Sequence, residues 1–162
     1  DYVMTNTPGT LTAMGRMMTE LGVKPEIEAF DTGHLWYAKQ LVSDGVLEPN
    51  ALVQLCMGVP WGAPDDLNTL MAMVNNIPDG WIFSAFGLGR HQMPMVAASV
   101  LAGGNVRVGL EDNLMLGRGV LAQNYQLVDR AVSLIENLGA RVISPAEVRE
   151  KLGLVKHAPI DK

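Results

Sequence analysis

Val106-Arg107-Val108-Gly109-Leu110-Glu111-Asp112-Asn113 sets a guanidinium, two carboxylates and an amide into an otherwise apolar stretch. Val106, Val108 and Leu110 share one face at period two, and Arg107, Gly109 and Glu111 share the other, which predicts a strand running to Glu111. A strand covered by helices outside and closed into a barrel inside tolerates Arg107 and Glu111 only if they meet partners, a ligand or a metal. Asp112 and Asn113 then fall where the strand opens into a loop. In parallel α/β folds that carboxyl end is where chemistry is done.

Other side chains join this set on weaker grounds. Glu28 lies on an earlier strand, two residues from Glu26 on the same face. Glu26 suits an exposed barrel floor. Glu28 suits either a structural pair with Arg107 or a role in orienting Arg107 beneath a site. Gly58-Val59-Pro60-Trp61-Gly62 and Gly87-Leu88-Gly89-Arg90-His91 each follow a strand. Glycines there let backbone N–H groups approach an anion, and Arg90 adds charge at a helix start, although turn geometry explains a lone Gly-x-Gly more often than phosphate does. His91 and His34 each suit a general acid, a metal ligand or a helix-start hydrogen bond, and His157 falls in an inert tail. Trp61, between glycines, suits a pocket wall or a subunit contact. Cys56 reads as a small buried hydrophobe, and methionines at helical spacing, such as Met14, Met17 and Met18 or Met71 and Met73, read as core. Glu111 is a plausible metal ligand, but catalytic zinc takes three protein ligands and the chain holds no His-x-His or His-x-x-x-His.

The elements that must position these residues alternate. Helices are expected over Pro8–Leu21, Thr32–Ser43, Asp65 or Asp66 to Asn75, Pro94–Leu101 and Val120–Leu138, with strands over Glu26–Phe30, Ala51–Met57, Trp81–Phe86 and Val106–Glu111. Asp1 to Thr7 reads as an extended lead-in, and Ser144-Pro145 with Glu147 opens a short terminal helix at about 145–152 through a capping box. Four such units are half of an eight-stranded barrel, so residues 1–162 read as the carboxyl-terminal half of one (β/α)8 TIM-barrel domain. An open doubly wound sheet fits the alternation too, but no Gly-x-Gly-x-x-Gly follows a first strand.

Of the 162 residues, 48% are hydrophobic and 18% charged, enough apolar material for a substantial core. A net charge of −5 argues against nucleic acid and favours a small substrate, an anionic one included. Gly, Pro or charge interrupts every apolar stretch short of a membrane span, and the chain's residues carry no signal-peptide pattern, so neither a span nor a secretory leader is expected. The single cysteine fits a reducing cytoplasm. The chain opens on Asp1 rather than Met and reads as starting within a longer gene product.

Six segments together resemble the carboxyl-terminal half of the β-keto acid cleavage enzymes, from about Asp1 to Lys151. They are Asn6-Thr7-Pro8; Glu26-Ile27-Glu28 with Gly33; Gly58-Val59-Pro60-x-Gly62; Gly87-x-Gly89-Arg90-His91-x-x-Pro94; Gly104-x-Val106 through Asn113; and Ser144-Pro145 with Glu147 and Arg149. The resemblance implies an oligomeric (homodimeric or tetrameric), zinc-dependent (β/α)8 barrel. Such an enzyme exchanges the acyl parts of a β-keto acid and acetyl-CoA, giving a CoA ester and acetoacetate. It implies Glu111 as the zinc carboxylate, Asp112 as the base that removes the α-proton, Arg107 as its partner and Glu28 as a supporting acid. Gly87, Gly89 and Arg90 would then suit the pantetheine or phosphate groups of CoA. The family's His-x-His zinc pair belongs to the first half of the barrel, so the isolated chain is expected to be inactive and to associate through an open strand edge. Alternatives are a metal-dependent barrel aldolase and an inactive half-barrel that pairs with another half.

Overall fold

The structure, a computed structural model, describes residues 4–155. Strands β1 (Glu26–Ala29), β2 (Leu52–Met57), β3 (Ile82–Gly87) and β4 (Asn105–Val106) form one parallel sheet in chain order. Parallel neighbours require crossovers, which α2 (Thr32–Ser43), α3 (Leu67–Val74) and α4 (Gln92–Leu101) supply. Helix α1 (Pro8–Glu20) precedes the sheet, and α5 (Asn124–Asn137) and α6 (Pro145–Leu152) follow it. Strand order 1-2-3-4 with a helix between successive strands is the arrangement of four adjacent units of a (β/α)8 barrel. Among the described residues, no helix is long and apolar enough to cross a membrane.

Strand alternation divides the side chains between two faces. Ala29, Val53, Leu55, Met57 and Ala85 pack with Leu35 of α2, Leu70 and Met73 of α3 and Met95 of α4 into the main core. Val106 and Val108 pack with Val96 of α4 and Ala131 and Ile135 of α5. The opposite face carries the polar register Glu28, Gln54 and Ser84. Gln54 and Ser84 are buried there and hydrogen-bond to each other. An open hollow of about 780 Å³ lies against this face, lined by Glu26, Gln54, Ser84, Arg107 and the 140–152 segment. It reaches the strands' amino ends, which in this architecture serve stability more than chemistry.

Caps fix the helix starts. Asp31 Oδ1 accepts from the His34 amide at 3.0 Å, and Asp66, not Asp65, caps α3 by accepting from the Thr69 amide. Thr7 and Thr10 cap each other's backbone ahead of Pro8.

Three expectations are corrected. The fourth strand stops at Val106, because the chain turns at Gly109. The helix expected from Val120 begins at Asn124; Val120–Leu121 (β6) instead pairs antiparallel with Met115–Gly117 (β5), the reversal passing through Gly119 at φ +75°. Met14 and Met17 are exposed on α1 and Met71 is largely so on α3, while Met73 is fully buried. His157 lies outside the described residues, as does the start of the expected lead-in.

A Cβ added at Gly104 would come within 2.2 Å of the Phe83 ring and 2.7 Å of Ser99 Oγ. Gly104→Ala is therefore expected to destabilise the fold by about 1–3 kcal/mol, read as a lowered urea midpoint. At α6, Arg141 Nη2 donates to Glu147 Oε1 at 2.6 Å, and the Ser144 amide donates to Glu147 Oε2 at 2.7 Å. These bonds, the Arg141 one foremost, hold the Glu147 carboxyl at about 2 against its ordinary 4.5. A depressed carboxyl stabilises the fold fully above pH 4.5 and loses that contribution as pH falls through 2. The Ser144 amide proton, followed by NMR, should track that loss.

Candidate functional site

Gly109 adopts φ +153°, and its carbonyl accepts from the Asn113 amide at 3.1 Å and from Gln92 Nε2 at 3.1 Å. Five residues of extended strand would hold Arg107 and Asp112 about 16 Å apart. The turn folds Asp112 back onto Arg107 instead. Arg107 Nε donates to Asp112 Oδ2 and Nη2 donates to Oδ1, both at 2.9 Å, a bidentate pair. Asn113 ties the turn to β5: its Oδ1 accepts from the Met115 amide and its Nδ2 donates to the Met115 carbonyl.

Arg107 gathers the remaining charges. Nη1 donates to Glu28 Oε1 at 2.9 Å, Nη2 lies 3.3 Å from Glu111 Oε2, and the guanidinium sits 4.2 Å above the Phe86 ring centroid. Burial works against its charge, but the bonds and charges of Asp112, Glu28 and Glu111 outweigh that, and its pKa is raised. One guanidinium thus faces three carboxylates, those of Glu28, Glu111 and Asp112. The Asp112 side chain is only 4% exposed, whereas Glu111 is 82% exposed. Both Asp112 oxygens keep a second lone pair beyond the Arg107 bonds.

The other candidates divide. The Gly89 amide donates to the Asp112 carbonyl at 2.8 Å and is therefore not available to an anion. A Cβ at Gly87 would meet the His91 carbonyl at 2.9 Å, so close packing against the start of α4 calls for glycine there. Arg90 is exposed, with Nε 2.8 Å from His91 Nε2. His91 Nδ1 lies 2.7 Å from Asp65 Oδ2. His34 is a helix-start residue whose Nδ1 accepts from the Phe30 amide at 3.1 Å. Trp61 is fully exposed at φ +70°, a strained conformation for a bulky side chain. Asp65 was legible only as the spare member of the Asp65-Asp66 doublet. Gln54 was hidden inside an apolar strand.

Three protein ligands are usual for catalytic zinc. Among the described residues there is no group of three or more His, Cys, Asp and Glu side chains placed to hold a metal. Glu111 offers one exposed carboxylate beside a guanidinium. These residues do not make a zinc site on their own.

A model of the beta-keto acid cleavage enzyme family matches residues 1–154. The 3-dehydrocarnitine:acetyl-CoA trimethylamine transferase of Rhizobium meliloti (strain 1021) is 67% identical over 156 residues, which are 96% of this chain and 52% of that protein. A 3-keto-5-aminohexanoate cleavage enzyme of Fusobacterium nucleatum subsp. nucleatum is 38% identical over 157 residues, 96% of this chain and 57% of the relative. The chain thus spans about half the length of the curated relatives it matches. The apo structure of ObcA, a TIM barrel, superposes with a TM-score of 0.76 over 91% of this chain and 40% of its own, at 20% identity, a likeness of fold.

Cys56 is fully buried, and burial foremost, then the charge of Glu28, pushes its thiol up to about 12. Since the thiolate is the reactive form, Cys56 should resist a thiol reagent at pH 8 in the folded chain and react once urea unfolds it. Rapid labelling of the native chain, measured by absorbance, would contradict this burial.

Proposed function

The chain belongs to the β-keto acid cleavage enzyme family, and we propose on that premise that it takes part in an acyl exchange. A β-keto acid and acetyl-CoA would give a new CoA ester and acetoacetate. The observation that carries this reading is the bidentate Arg107–Asp112 pair at the carboxyl end of β4. Asp112 acts as the base that takes the α-proton of the keto acid. Arg107 fixes its geometry, and Glu28 and Glu111 share the Arg107 charge so that Asp112 is not fully neutralised. The family match favours this reading over a barrel aldolase.

Of this chain's residues we assign Glu111 to zinc, as one ligand of a set that the described residues do not complete. When bound, zinc would polarise the ketone and favour the enolate. Arg90 is assigned to the CoA side of the reaction. A homo-oligomer, dimer or tetramer, and a cytoplasmic setting belong to the same proposal. Exposed Met14, Met17, Leu21 and Trp36 support the first, and the single buried cysteine supports the second. By itself the 162-residue chain is expected to lack the activity.

The test is complementation. The chain is mixed or fused with the part of the Rhizobium meliloti relative that the match leaves uncovered, and 3-dehydrocarnitine is the first keto acid to supply, because the 67% identical relative is named for it. Acetyl-CoA-dependent release of acetoacetate is expected; a folded assembly with none would sink the proposal. In that assembly Asp112→Asn should keep the fold but slow the exchange of the keto acid α-proton with deuterium from solvent by roughly a hundredfold or more. Exchange as fast as in the parent would remove Asp112 from the role of base.

A further inference from the structure

The loops that follow β2 and β3 meet through a side-chain relay outside the Arg107 cluster. Arg90 Nε–H points at His91 Nε2 from 2.8 Å, so that ring nitrogen accepts and carries no proton. The proton of the neutral ring is then on Nδ1, which donates to Asp65 Oδ2 at 2.7 Å. Room for the Asp65 carboxylate is built in, since a Cβ at Gly58, itself at φ +81°, would lie 2.8 Å from Oδ2. A carboxylate behind the ring makes Nε2 a stronger acceptor and fixes its direction.

This bond uses one of the five N–H groups of Arg90. The other four, on Nη1 and Nη2, make no hydrogen bond or ion pair among the described residues, and Arg90 is exposed. A guanidinium anchored through Nε keeps both Nη nitrogens as a pre-ordered fork, the geometry that matches two oxygens of a phosphate. We propose that Asp65 and His91 are an orienting pair that presents Arg90 as a phosphate-binding fork at the rim of the site. The Gly89 amide, bonded to the Asp112 carbonyl, places that rim beside the Arg107 cluster. An exposed rim suits the water-facing phosphates of a CoA thioester better than the reacting carboxylate of a keto acid. The choice of CoA rests on the family reading; the phosphate chemistry does not.

Calorimetric titration of the 162-residue chain with CoA, 3′-dephospho-CoA, pantetheine and inorganic pyrophosphate tests this, using Arg90→Gln, His91→Phe and Asp65→Asn, with folding checked by circular dichroism. CoA affinity should fall about tenfold or more in Arg90→Gln, as expected for a lost charge-assisted pair, and about fivefold in each orienting variant. Pantetheine binding should not change, and Arg90→Lys, which has no Nε anchor, should not restore affinity. The Arg90 Nε–H proton should be slow to exchange by NMR in the parent and should lose that protection in His91→Phe, which a merely structural role for His91 would not bring about. Unchanged CoA affinity in Arg90→Gln would overturn the proposal. A loss confined to Arg90→Gln, with both orienting variants at parent affinity, would overturn the orienting pair. Pyrophosphate binding with the same sensitivity to all three variants, but no binding of CoA, would uphold the fork and overturn only the CoA reading.

Discussion

Everything at the carboxyl end of the sheet hangs on the bidentate bond between Arg107 and Asp112. A guanidinium brought in from solvent must be matched by carboxylates in fixed geometry, and Asp112 supplies that match only because the chain reverses at Gly109. The reversal is held from three directions: Gln92 at the start of α4 donates to the Gly109 carbonyl, the Asn113 amide does the same, and Asn124 at the start of α5 accepts from the Leu110 amide. Helices on both sides of the strand therefore determine the position of one carboxylate.

The same pair explains how loops from separate units act together. The parallel sheet brings the carboxyl ends of all its strands to one side, and short hydrogen bonds then join the loops found there. Gly89 to Asp112 links the β3 and β4 loops, and Asp65 to His91 links the β2 and β3 loops. Glu28, from β1, reaches Arg107 across the inner face of the sheet. Charge is concentrated where the strands end, and the apolar core beneath it is confined to the helix-covered face. Cys56 sits on the polar face close to these charges, and burial foremost, then the charge of Glu28, raises its thiol to about 12.

Local rules made much of this legible from the residues alone. Period-two alternation in Glu26–Ala29, Asp31 and Ser144 as caps, Pro8 and Pro145 at helix starts and glycines at helix ends are short-range effects, decided within a few residues of themselves. Alternation put Glu26 and Glu28 on one face, and a pairing of Glu28 with Arg107 was one of two readings open to it; the register of Glu28 with Gln54 and Ser84 came only with the sheet. Alternation also predicted that Arg107 and Val108 take opposite faces, which they do.

The features that the residues did not determine depend on groups distant in sequence. A run of alternating valines specifies a strand as far as Glu111 if nothing intervenes; Gln92 and Asn124 intervene, and their bonds to the turn stop β4 at Val106. Val120 and Leu121 have helix-compatible neighbours but pair with Met115–Gly117, because a hairpin partner satisfies their backbone groups before a helix can. Asp65 acquires a role only when the start of α4 delivers His91 to it, and Met14 and Met17 are core-like in spacing but exposed in the fold. Sequence thus determined the elements, their faces and the kinds of side chain that gather at one end of the sheet. Tertiary structure alone decided which of them touch, since a hydrogen bond is set within a few tenths of an ångström and one residue's register error along a strand moves a side chain about 3.3 Å.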